Sequence, residues 1–105
     1  MIRNAIACAF TLALAATPAI GQDRHLARNL AAQCANCHGT DGRSAGGIPS
    51  IAGLDRAYFT GQMAAFRNGQ RAGTAATVMH QIAKGYNDEQ IAAMATYFAA
   101  QSARK

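Results

Sequence analysis

Over no useful length does this 105-residue chain alternate apolar and polar residues, and no segment of it repeats. Without strands there is no βαβ frame, and the chemistries that depend on one are excluded. Charged residues make up only 14% of the chain, and the basic ones are scattered from Arg3 to Lys105 with few aromatics among them. A nucleic-acid partner is therefore not expected, since it would call for basic side chains gathered on one face. No separate pair of acid and base groups suits a substrate reaction, so no catalytic residue is expected either. Cysteine is scarce as well: Cys8, Cys34 and Cys37 are all there are.

The first twenty residues carry one charge, Arg3, followed by an uncharged run from Ala5 to Ile20. A short basic start, an apolar run too short to span a bilayer comfortably, and a small-x-small ending at Ala19-Ile20-Gly21 describe an export signal. The expected cut lies between Gly21 and Gln22, so residues 1–21 are removed and no stable membrane insertion follows. A retained membrane anchor is the alternative. Cys8 lies too early in the run to accept a lipid and leaves with the leader.

Residues 22–105 then form one domain of 84 residues with nine basic and five acidic side chains. A domain this small has little apolar core to hold it and often needs a staple. The two remaining cysteines would close only a four-residue loop, which constrains the unfolded chain little. A bound cofactor is the more useful staple. The mild positive balance suits an acidic docking partner, an anionic surface, or simply solubility.

Helical signals account for most of the domain. Leu26 and Leu30, with Ala27 and Ala31 beside them, make a stripe over Arg24–Gln33 that ends at the cysteines. Residues 39–53, "GTDGRSAGGIPSIAG", are rich in glycine and read as a loop folded around something. Asp55 is placed to cap a second helix on which Phe59, Met63 and Phe66 share a face, and Asn68-Gly69 ends it. A short helix from about Thr77 to Lys84 is expected to stop at Gly85 in the left-handed exit position. Asn87 and Gln90 form a capping box for the last helix, whose inner face is Ile91, Met94 and Phe98. The fold class is all-α.

Residues 34–38 read "CANCH". A thioredoxin-like dithiol lacks its strands here, and a structural zinc site lacks a second cysteine pair, His25 and His80 being isolated. The remaining chemistry is c-type haem attachment. The two thiols, spaced on one helical turn, form thioethers with the haem vinyl groups, and His38 follows at once to face the iron. A haem that only transfers electrons is closed on both faces, so a second ligand is needed. Met63 and Met94 lie on apolar stripes where methionine is ordinarily core filling, and His25 is too close to the attachment site. Met79, 41 residues downstream of His38, remains, with His80 as its rival. A thioether favours ferrous iron and raises the potential. Pro49 stiffens a loop whose carbonyl can accept the second N–H of His38, although an ordinary turn proline would look the same.

"CANCHGTDG", "IPSIAGL" and "TVMHQIAKGYNDEQIAAMATYFAAQ" together resemble a class I cytochrome c over essentially all of residues 24–101. The resemblance implies three to five short helices around one covalent haem c, with the first and last helices crossed. It implies Cys34 and Cys37 as thioether sites, His38 as proximal ligand, Met79 as distal ligand and Pro49 as the carbonyl partner of the proximal histidine. It also implies Ala27 and Ala31 packed against Tyr97 and Phe98. The stretch "TVMHQIAKGYNDEQIAAMATYF" is especially similar to the haem subunits of flavocytochrome c sulfide dehydrogenases. That likeness implies an FAD-containing flavoprotein subunit as electron donor in the periplasm and other redox proteins as acceptors. Some members of that group carry two haem domains, whereas this chain has one attachment motif.

Two expectations stand side by side. One is an electron-transfer subunit of a sulfide dehydrogenase; the other is a freely diffusing carrier between respiratory or photosynthetic complexes. A haem enzyme or gas sensor with an open distal face fits less well with Met79 in the chain. Ile48, Ile51 and Val78 are expected to form an apolar docking patch, with Arg43, Arg71 and Lys84 as its charged rim.

Overall fold

The computed structural model describes residues 12–13 and 20–103. In order along the chain these form α1 (Ile20–Ala32), α2 (Ala35–His38), α3 (Arg56–Arg67), α4 (Thr77–Ala83) and α5 (Asp88–Ala99), with 3-10 turns at Thr40–Gly42 and Thr74–Ala76. Among the described residues there is no strand, as the sequence requires. Most of the expected leader, 1–21, lies outside the described residues; the expected cut at Gly21/Gln22 falls within the first turn of α1. No described helix is long and apolar enough to cross a membrane.

Helix α5 is the central element, with both α1 and α3 packed on it. Its inner face is the predicted one: Ile91, Met94 and Phe98 are all buried, joined by Ala95. From α3 come Phe59, Met63 and Phe66 at helical spacing, also buried. The Phe59 and Phe98 rings stack with centroids 5.6 Å apart, and Tyr97 meets Phe98 edge-on at 5.3 Å, both favoured aromatic geometries. On α1 the residue that reaches the core is Ala31, at 2% exposure, with Leu30 packed beside it. Leu26 is 47% exposed, so the expected Leu26–Leu30 stripe is corrected at one end. The crossing with α5 fixes the rotation of α1 by Ala31, and a residue five positions earlier points about 140° away.

Local capping follows the sequence signals. Asp55 Oδ1 accepts the Tyr58 N–H at 3.0 Å, and Asn87 and Gln90 exchange both bonds of a capping box at 2.8 and 2.9 Å. Asn68 caps α3, and Gly69 follows with φ 75°. The expected left-handed exit at Gly85 is not found: Gly85 is not among the positive-φ glycines. Instead Lys84 stays helical, and the Gly85 N–H donates to the Ile82 carbonyl at 3.0 Å. The helix closes by 3-10 tightening, an alternative way of satisfying terminal carbonyls.

These features differ in weight. In denaturant unfolding of the haem-bound protein, Phe98→Ala should lose about 3–5 kcal/mol, and Asn87→Ala about 1 kcal/mol. Equal losses would contradict the central place given to Phe98.

Candidate haem site

The attachment motif is a single helical turn appended to α1. Cys34 N–H donates to the Ala31 carbonyl at 3.0 Å, and His38 N–H donates to the Cys34 carbonyl at 2.9 Å. The chain leaves that turn through Gly39 at φ 84°, where a Cβ would sit 2.0 Å from the Arg43 carbonyl oxygen. Only glycine fits there. Cys34, Cys37 and His38 thus line one wall of a cavity of about 850 Å³, near the upper end of the usual range for ligand and cofactor sites.

His38 Nδ1–H donates to the Pro49 carbonyl oxygen at 2.6 Å. The loop that carries this acceptor is stitched down at both ends. Gly42 is buried at φ 80°, and a Cβ there would lie 2.8 Å from the Ile51 side chain and 2.9 Å from the Phe98 ring. Gly42 carbonyl accepts the Ile51 and Ala52 N–H groups, and Gly53 N–H donates to the Phe98 carbonyl at 2.8 Å. Asp41, a non-glycine residue at φ 54°, accepts the Tyr97 hydroxyl at 2.6 Å and the Arg43 guanidinium at 3.3 Å. Arg43 also donates through Nε to the Ser102 carbonyl at 2.7 Å. Arg43 is therefore partly buried and tied into the loop, not free on a docking rim as expected.

The opposite wall of the cavity comes from α3 and α4. Met79 lines it from α4; His80 does not, because its Nδ1–H donates to the Phe66 carbonyl at 2.6 Å. Met94 is wholly buried in the core behind, and His25 is exposed on α1. Met63 lines the cavity as well, so the apolar stripe of α3 is at once core and cavity wall. At the mouth, Val78 is 63% exposed and Ile48 44%, joined by Tyr58 and Ile82. Ile51 lies deeper, packed against the core.

The chemistry of this wall fits a haem. Burial pushes the Cys34 thiol up, and the neighbouring Cys37 adds to the shift, the opposite of the lowered value that activates a redox or nucleophilic cysteine. Among the described residues no three His, Cys, Asp or Glu side chains gather as a metal cluster would. What the cavity offers is two thiols on one turn, an oriented imidazole and a thioether, set among mostly apolar side chains.

Several contributors were not read from the sequence. The Asp41–Tyr97 pair joins residues 56 apart; the only local signal was the Asp-Gly dipeptide, a turn former. Tyr86 donates its hydroxyl to Gln33, linking the segment after α4 to the residue before Cys34. Arg71, by contrast, is expected on the charged rim and stands on the cavity edge, where it stacks over the Phe66 ring at 4.5 Å and donates to Gln62 at 2.8 Å.

An all-α domain closing around such a site is of the covalent-haem electron-carrier class. The family model "Cytochrome c" matches residues 26–102, and the chain belongs to the cytochrome c family. It is a monohaem electron carrier with covalent haem c. Among its relatives, the cytochrome subunit of sulfide dehydrogenase of Chlorobaculum tepidum is 46% identical over 69 residues, 66% of this chain and 60% of that protein. Cytochrome c-554(548) of Halomonas halodenitrificans is 41% identical over 69 residues, 65% of this chain and 83% of that protein. A thiosulfate dehydrogenase electron acceptor of Stutzerimonas stutzeri is 36% identical over 100 residues, 90% of this chain and 45% of that protein. The chain thus spans less than two thirds of the first of these relatives and less than half of the third.

The Asp41–Tyr97 bond has a measurable pH signature. Chiefly that hydrogen bond, then burial and the Asp41 charge, raise the Tyr97 phenol above its ordinary value, while Arg28 and Arg43 oppose the shift. A raised folded-state value stabilises below the ordinary tyrosine value of about 10 and is lost as pH climbs through the raised one. Tyr97→Phe should cost about 1 kcal/mol at neutral pH, and its gap to the parent should narrow above about pH 10 in denaturant titrations of the reduced protein. A gap constant with pH would contradict the bond.

Proposed function

We propose that this chain works in the periplasm, with residues 1–21 removed, as the cytochrome that accepts electrons from an FAD-containing, sulfide-oxidising flavoprotein. The observation that carries the reading is the likeness to a cytochrome subunit of sulfide dehydrogenase. In this reading Cys34 and Cys37 hold the haem through thioethers, His38 is its proximal ligand and Met79 its distal ligand. The Pro49 carbonyl orients His38 and makes its imidazole a stronger donor, as outer hydrogen bonds to metal-bound histidines do. The bound haem supplies reversible one-electron exchange between ferric and ferrous iron. The protein's own part is position and environment: Phe59, Met63 and Phe66 exclude water from the cavity, and the thioether of Met79 favours the ferrous state.

The exposed apolar side chains at the cavity mouth, Ile48, Tyr58, Val78 and Ile82, support a lasting docked partner, because permanent interfaces are the more hydrophobic ones. A second reading is a freely diffusing acceptor, favoured by the thiosulfate dehydrogenase electron acceptor whose match extends over 90% of this chain. Such a carrier would rely on brief, salt-sensitive encounters.

Purification from the native source separates the two. The expected result is co-elution with an FAD-containing subunit through moderate salt, and reduction of the haem by sulfide only when that subunit is present. A lone monomer at low salt, reduced equally well by unrelated donors, would replace the first reading with the second.

A further inference from the structure

Helix α4 carries Met79 on only seven residues, too short to hold its own shape in water. Its N-cap, Ala76, makes no side-chain cap bond. What fixes it must come from outside the helix. At its C-terminal end Ala83 is wholly buried, and at its start the Thr77 hydroxyl donates to the Gly73 carbonyl at 3.2 Å. Between these, His80 reaches across to α3, its Nδ1–H donating to the Phe66 carbonyl.

That carbonyl belongs to a well-fixed residue. The Phe66 ring is buried in the core and forms part of the cavity wall, with the Arg71 guanidinium over its face. Helices α3 and α4 pack together, but packing alone leaves a short helix free to roll. A directional bond from the residue next to Met79 removes that freedom. Successive side chains on a helix point about 100° apart, so pinning His80 onto α3 turns Met79 toward the cavity, where it is found.

We propose that His80 is a positioning residue for Met79: through Phe66 it locks α4 so that the Met79 thioether is presented to the cavity. The inference rests on the reading of Met79 as distal ligand. It assigns His80 a role as a clamp and not as the ligand itself.

The test is imidazole binding to the ferric, haem-loaded protein, which must displace the distal ligand to reach the metal. It is followed through the weak long-wavelength band of methionine-ligated ferric haem. His80→Ala should keep the band without imidazole and bind imidazole about three- to tenfold more tightly than the parent, the effect of one net hydrogen bond. His80→Asn, whose amide N–H stands near the place of Nδ1, should return affinity to within about twofold. A role in stability alone would lower the unfolding midpoint of His80→Ala but leave imidazole affinity unchanged, and would overturn the proposal. So would equal affinities for the Ala and Asn variants when both differ from the parent. Met79→Ala, run in parallel, should abolish the band. If the parent shows no such band and His80→Ala, but not Met79→Ala, disturbs its ferric spectrum, the ligand reading itself falls and His80 is the ligand.

Discussion

The close crossing of α1 and α5 is the constraint from which the rest of the domain is built. The two helices pack on each other, and a small side chain of one, Ala31, and a large one of the other, Phe98, lie almost completely buried in the same core cluster. Phe98 then serves three neighbours. Its ring stacks on Phe59 and so carries α3, its flank leaves room only for a glycine at position 42, and its carbonyl receives the Gly53 N–H. The attachment turn begins two residues after α1 ends, so fixing α1 on α5 fixes Cys34, Cys37 and His38. Fixing both ends of the loop on α5 places the Pro49 carbonyl against His38. A truncation at Phe98 would reach all of these contacts together.

The cavity is made differently on its two sides. One wall is rigid by covalent sequence and backbone bonding: a helical turn, a left-handed glycine exit and a stitched loop. The other wall, with Met79, is borne by a short helix that depends on its neighbours. Under the proposed ligand roles this asymmetry suits an electron carrier, with the oriented imidazole of His38 setting the frame and the softer thioether of Met79 favouring ferrous iron. The exposed apolar mouth lies between the two walls, where short distance to a partner matters most.

Sequence reading was strongest where the causes are local. The "CANCH" spacing, the Asp55 and Asn87 caps and the apolar stripes of α3 and α5 each depend on residues within a turn or two, and the structure places the caps and stripes as expected. It was weaker where a distant element decides. Leu26 shares a stripe with Leu30, which points it inward, but the rotation of α1 is chosen by α5. Arg43 looks locally like a free rim charge, but the carbonyl of Ser102, 59 residues away, draws it in. Gly85 stands where a left-handed exit is usual, but a 3-10 bond to the Ile82 carbonyl closes the helix first. His80 and Phe66, 14 residues apart on different helices, left no trace in the local pattern. The roles of the ligand residues were drawn from spacing and resemblance, and the geometry adds the orientation of His38 and the outward turn of His80 to that argument.

The central claim is that Cys34 and Cys37 both hold the haem. The direct measurement is the intact mass of the purified protein after denaturation in acid and organic solvent, with alkylation of any free thiol. The account predicts one chain carrying one haem, with neither Cys34 nor Cys37 alkylated. A colourless chain of unmodified mass, with both cysteines open to alkylation, would contradict it.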